Sequence, residues 1–220
     1  MARTIAQDHD DKRQAILKTA ARLFADEGYG RASMAQVATA CGISKANIYH
    51  YYPGKDALLF DILDTHLAAL RDRICGLRFD SPDPGDQLRA IVRELLLAYE
   101  GADAEHGVQL NAITALPDAQ QSVLKRYQRD LVAFVRDRVA RLAPPAVAGD
   151  ASQLRGLTMS VFALTNWHYQ WDGKADAGAR RRYADLVCDV LIAGLTGLGG
   201  HKALSGSSGS REDGNGRVSV

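Results

Sequence analysis

Cysteine is scarce in this chain: Cys41, Cys75 and Cys188 are odd in number, far apart, and set at none of the spacings of a zinc site or redox pair. A disulfide scaffold is excluded, and all three are expected as small buried or half-buried thiols. No apolar run approaches the roughly 20 residues that span a bilayer, and MARTIAQDHDDKR lacks the apolar stretch of a secretory signal. These absences predict a cytoplasmic protein with no membrane partner. Charge of one sign is missing too, with 27 Lys and Arg against 26 Asp and Glu and a formal net charge of +1, so bulk composition names no partner. His9, His66, His106 and His201 show no paired spacing on a common face, and His168 stands among aromatics, so no metal site is expected. There is no glycine-rich phosphate loop, no HExxH and no triad, hence no catalytic residues and no cofactor.

What is present is helical periodicity, and no segment alternates apolar and polar residues as a half-buried strand does. Ile16, Ala20, Leu23 and Phe24 share one face of a helix that begins among Asp8, Asp10 and Asp11 and stops at Gly28. Ser33 precedes Gln36 by the spacing of a capping box, which starts a second helix at Met34. Ser44 caps a third, Lys45 to about Tyr52, closed by Pro53. A fourth opens at Lys55 or Asp56 and carries Leu58, Leu59, Ile62, Leu63, Leu67, Leu70 and Ile74 to about Leu77. The stretch from Asp80 to Gly85, with Pro82 and Pro84, then breaks the chain. Beyond it, helices are predicted over roughly 86–101, 106–115, 118–142, 151–172 and 178–198. The fold class is therefore all-α, divided into an N-terminal arm (1–7), a three-helix domain with its linking fourth helix (8–78), a larger helical domain (79–200) and a tail (201–220). That tail, rich in glycine and serine and poor in bulky apolar residues, is expected to be disordered.

Counting from Met34, Ala38 falls fifth, Gly42 ninth and Ile48 fifteenth, as a helix-turn-helix over about Ala32 to Tyr51 requires. A small residue lets the helices approach, glycine supplies a positive φ, and a branched apolar side chain locks the second helix. If Ile48 faces the core, then Lys45, Asn47, Tyr49 and His50 project outward with Ser44 nearby, toward a major groove and its phosphates. Asn47 suits adenine, and Lys45 suits guanine or a phosphate. From Gly28 to Lys55 there is not one Asp or Glu, an absence expected by chance only about 3% of the time, so the segment reads as a surface for an anion.

The run ILKTAARLFADEGYGRASMAQVATACGISKANIYHYYPGKDALL resembles the N-terminal DNA-binding domain of the TetR family of bacterial transcriptional regulators. The likeness covers about 50 residues, from the LF..EGY end of the first helix to the IYHYYPGKDALL exit, with Tyr52 where the family often has phenylalanine. The resemblance implies that Ser33, Ser44, Lys45, Tyr49, His50 and Lys55 touch DNA, mostly phosphates. It also implies a homodimer joined through its last two helices, a double-stranded operator, and a C-terminal domain that holds a small-molecule effector.

In the second half, TMSVFALTNWHYQWDGK (158–174) places Trp167, His168, Tyr169 and Trp171 together. Similar Asn-Trp-x-Tyr-x-Trp runs occur in TetR-like regulators that answer to acyl-CoA thioesters, which implies such an effector. As residue types, both tryptophans are expected to fill core and dimer interface, with a pocket lining as the alternative. Tyr99 and His106 are candidates for polar groups in a mainly apolar cavity. Arg89, Arg93 and the Arg180-Arg181-Arg182 run are candidates for the nucleotide end of such a ligand, although an arginine run also reads as a solvated face. Leu186, Val190 and Leu195 are the expected interface residues of the last helix. The readings left open are an all-α enzyme, a helical acyl-CoA or lipid carrier that never touches DNA, and an activator of the same fold.

Overall fold

The apolar faces pack into two clusters that share one helix. In the computed structural model, which describes residues 2–198, the regular elements are all helical: α1 (Ala2–Glu27), α2 (Met34–Ala40), α3 (Lys45–Tyr51), α4 (Lys55–Cys75), α5 (Pro84–Ala98), α6 (Asp103–Ala112), a 3-10 turn (Ile113–Ala115), α7 (Asp118–Leu142), α8 (Pro145–Ala148), α9 (Ala151–Asn166), α10 (His168–Asp172) and α11 (Ala177–Gly197). The first cluster gathers Ile16, Phe24, Val37, Ile48 and Leu58 to Leu67 of α4, and it draws Val108, Ala112, Leu116 and Leu124 in from the second half. The second holds Leu70 and Ile74 of α4 with the inner faces of α5, α7, α9 and α11. Among the described residues no helix is long and apolar enough to cross a membrane.

Local signals account for most helix ends. Ser33 and Gln36 form both halves of the capping box, Gln36 N donating to Ser33 Oγ and Ser33 N to Gln36 Oε1 (2.9 Å). Gly28 (φ +84°) ends α1 in the left-handed region that side chains other than glycine adopt at a cost. Three expectations need correction. First, α1 begins at Ala2 and not among the aspartates, because ARTIAQ contains no glycine or proline to interrupt it, so residues 2–7 are helix and not an arm. Second, Pro84 starts α5 instead of breaking the chain: it takes the first helical position, where its missing N–H costs nothing, and Asp83 caps the helix by accepting from Asp86 N (2.9 Å). Third, the helix over 151–172 is interrupted at Trp167. The Asn166 carbonyl there accepts from His106 Nε2 (3.2 Å), and Gln170 N turns to Trp167 O (3.1 Å). The tail expected over 201–220 lies outside the described residues.

Candidate nucleic-acid interface

The helix-turn-helix geometry starts at Gly42. Its φ of +65° lets Ile43 N reach back to Ala38 O (3.0 Å), so that α3 leaves α2 at the angle of the motif. Ala38 is buried where the two helices approach, and Ile48 is fully buried under α3. Burying a side chain of that size contributes about 2 kcal/mol, which fixes the phase of the helix. With Ile48 inward, Lys45, Asn47, Tyr49 and His50 are all exposed, Tyr49 to 45%. Ser44 caps α3 by accepting from Asn47 N (3.1 Å), and its hydroxyl proton stays available to an outside acceptor. Ser33 lies at the corresponding end of α2 and is exposed.

Lys55 is placed differently from its expected role at a phosphate. Its Nζ donates to the carbonyls of Tyr29 (2.7 Å) and Ala32 (2.8 Å), approaches that of Gly30 (3.4 Å), and lies 4.4 Å from the centre of the Tyr29 ring. An ammonium has three donors, and these carbonyls take them. Lys55 therefore clamps the α1–α2 turn onto the start of α4. A second clamp went unread in the sequence. Asp61 accepts from the Tyr52 hydroxyl (2.6 Å) and from Arg13 Nε (2.9 Å), tying α1, the end of α3 and α4 together. Tyr52 thus uses the hydroxyl that a phenylalanine would lack.

The residues singled out for an effector are not gathered in one cavity. Arg89 pairs with Asp189 (2.6 Å) and Arg93 with Asp185 (2.7 Å), both across the α5–α11 surface. Arg180 is 1% exposed, so it is no solvated face; its Nη2 donates to both carboxylate oxygens of Asp103 (3.0 and 2.8 Å), while Arg181 and Arg182 are exposed. Tyr99 and His106 stack with ring centres 4.0 Å apart, and Asn166 receives both, through its side chain from the Tyr99 hydroxyl (2.9 Å) and through its carbonyl from His106. His168 is buried between Trp171 and Tyr183, both centroids at 4.7 Å. The tryptophans themselves are not core: Trp167 is 62% and Trp171 58% exposed. The break at Trp167 turns both indoles outward while Tyr169 packs beside Gly107, where an added Cβ would come within 3.3 Å of its ring.

Burial lowers both His66 and His106 to about 4, the charge of His106 adding to the effect at His66. The unfolded chain holds these histidines near 6.5 and so takes up more protons than the folded one between the two values. Their contribution is present above about pH 6.5 and is lost as pH falls toward about 4. Urea midpoints are expected to drop across that window, and His106→Gln, which removes one titrating ring, should flatten the profile whatever it does to the stability at pH 7. An equal slope in the variant would contradict the assignment.

Comparison with known proteins bears on both halves. Residues 16–62 match the family model described as bacterial regulatory proteins of the tetR family, and residues 81–195 match the tetracyclin repressor-like C-terminal domain. The HTH-type transcriptional repressor NicS of Pseudomonas putida is 29% identical over 206 residues, 86% of this chain and 95% of that protein. A TetR-family transcriptional regulator from Bordetella parapertussis, solved by crystallography, is 32% identical, with a TM-score of 0.75 over 81% of this chain and 93% of that one. AibR, solved in complex with isovaleryl coenzyme A and operator DNA, is 25% identical, with a TM-score of 0.70 over 82% of this chain and 98% of its own.

Proposed function

Since this chain belongs to the TetR family of bacterial regulatory proteins, we propose that it is a repressor that holds a palindromic operator as a homodimer and releases it when an acyl-CoA thioester binds. The observation that carries the DNA reading is the outer face of α3. Lys45, Asn47, Tyr49 and His50 stand exposed in a segment without a single acid, on a helix whose inner side is locked by Ile48. The name of NicS supports repression and the complex of AibR supports the class of effector. The dimer reading is supported by large apolar side chains left exposed on the protomer, Leu186 and Val190 on α11 and Trp167 just beyond the end of α9. Leu195 does not join them, being buried in the second cluster of its own protomer.

Release requires that the effector prefer a spacing of the two α3 helices that misses successive major grooves, and it can shift the equilibrium only by that difference in affinity. Helix α4 is the mechanical link, with Leu58 to Leu67 in the first cluster and Leu70 and Ile74 in the second. A displacement in the C-terminal half therefore reaches the helix-turn-helix through one rigid element.

The test is duplex binding by fluorescence anisotropy across a salt series. Affinity should fall steeply with salt as displaced counterions are released. Lys45→Ala is expected to weaken all sequences alike and reduce the salt slope by about 1 if Lys45 meets a phosphate. Tyr49→Ala should cost about fivefold with the slope unchanged, since it removes a hydrogen bond and no charge. Lys55→Ala, by contrast, should lower the thermal midpoint, because it unties the α1–α2 turn. Full affinity in a Lys45→Ala, Tyr49→Ala double variant at physiological salt would overturn the docking of α3. For the effector, isovaleryl coenzyme A should release a bound operator where isovalerate does not.

A further inference from the structure

Of the five arginines expected to meet an anionic effector, three are engaged within the protomer, Arg89 with Asp189, Arg93 with Asp185 and Arg180 with Asp103, while Arg181 and Arg182 stand exposed on α11. A different set of cations has no such partner. Lys125, Arg129 and Arg136 run along one face of α7, and Arg155 of α9 stands across from them at a groove of about 730 Å³. No Asp or Glu lines that groove. Lys125 Nζ donates to the neutral Gln121 side chain (2.8 Å), and among the described residues no acid pairs with Arg129, Arg136 or Arg155. The acids close by are turned elsewhere. Asp130 faces Arg71 (3.8 Å), Asp137 faces Arg141 (3.0 Å), and Asp150 caps α9 on the amides of Ser152 and Gln153.

This arrangement has an electrostatic cost. Four cations share one concave surface with little to neutralise them, and their mutual repulsion favours any polyanion that fits between. The three on α7 extend over about 16 Å of helix axis, more than a single phosphate spans and suited to a ligand that carries several. Between the cations the lining is apolar, with Val132, Leu154 and Met159, so the ligand also has an uncharged portion to bury. Arginine is the residue suited to phosphate, since its planar fork meets two oxygens at once.

We propose that the α7–α9 groove binds the phosphorylated nucleotide end of an acyl-CoA thioester, with Arg129, Arg136 and Arg155 on its phosphates and the thioester arm over Val132, Leu154 and Met159. This rests on the acyl-CoA reading given above and assigns that reading a site. The site lies where it has leverage. Helix α7 contributes Leu124 to one cluster and Leu131, Val135 and Val139 to the other, while α9 leads into the Asn166 junction with α5 and α6.

Calorimetric titration of the full chain tests the assignment, with isovaleryl coenzyme A, coenzyme A, adenosine 3′,5′-bisphosphate and isovalerate as probes and an Arg129→Gln, Arg155→Gln double variant as control. Both arginines are exposed, so the variant should keep its thermal midpoint and its operator affinity. The expected result is that both coenzyme A compounds bind the wild type, isovalerate does not, and the variant binds the thioester about tenfold or more weaker. Equal thioester affinity in variant and wild type would remove the site while leaving the acyl-CoA reading intact. Failure of every coenzyme A compound to bind the wild type would overturn the effector reading and the site with it. Bisphosphate binding as tightly as the thioester would make the groove a site for free nucleotides and overturn the role of the acyl arm. Loss of operator affinity in the variant would make it a DNA surface and overturn the proposal.

Discussion

Asp103→Ala should lower the unfolding free energy by about 3 kcal/mol or more, because it leaves a guanidinium that is 1% exposed without its carboxylate. For a chain of this length that corresponds to a fall in thermal midpoint of roughly 6–12 °C. Burial raises the Asp103 carboxyl above its ordinary range even though Arg180 pulls it down, so the desolvation of this carboxylate is not fully offset by its attraction to Arg180. That imbalance makes a second result distinctive. Replacing both partners by apolar residues, as in Asp103→Leu with Arg180→Met, should recover a substantial part of the loss, since the cost of the single variant is mostly that of a stranded charge. The recovery is expected to stay incomplete, because Arg180 also donates to the carbonyls of Ala175 (3.1 Å) and Leu96 (3.4 Å). Thermal unfolding followed by circular dichroism decides it, and a double variant no more stable than Asp103→Ala would refute the account.

Leu186→Asp and Val190→Asp should yield well-folded monomers with operator affinity reduced by about a hundredfold or more. Both side chains are 59% exposed on the protomer, so an aspartate at either costs the isolated chain little. Across a two-fold axis, however, each substitution appears twice, placing like charges where apolar surface was to be buried. The loss of affinity follows from the loss of linkage. Two half-sites held by one dimer bind with an advantage of order 10² to 10⁴ over two independent monomers. Sedimentation gives the mass, circular dichroism the fold and anisotropy the affinity, and a wild-type chain that sediments as a monomer would remove the premise.

The features legible in the sequence were those fixed by neighbours. Ser33 with Gln36, Ser44 with Asn47 and the glycine at position 42 act within one turn, and α2, α3 and the exposed face of α3 follow from them. What was misjudged depended on partners distant in the chain. Nothing near Arg180 announces that Asp103 and the Leu96 carbonyl will receive it, and nothing near Asn166 announces His106, whose bond ends α9 and sends the two indoles outward. Lys55 looked free because its acceptors are backbone carbonyls, which every residue possesses and no sequence pattern marks. Leu195 is different, since periodicity alone places it about two and a half turns beyond Leu186 and hence on the opposite side of α11.

The sharing of α4 and the reach of α6 and α7 into the first cluster bear on how such proteins can be recombined. A cut near residue 78 appears natural in the chain, yet it would strip Val108, Ala112, Leu116 and Leu124 from beneath α1 and the helix-turn-helix and bare Leu70 and Ile74 on the severed α4. A chimera that joins this reading head to another regulator's sensor would have to import α6 and the start of α7 along with it, or rebuild the seam residue by residue. Operator choice and effector choice are therefore not freely interchangeable modules in this chain, and exchange by recombination is confined to donors whose sixth helix presents a matching apolar face to α1.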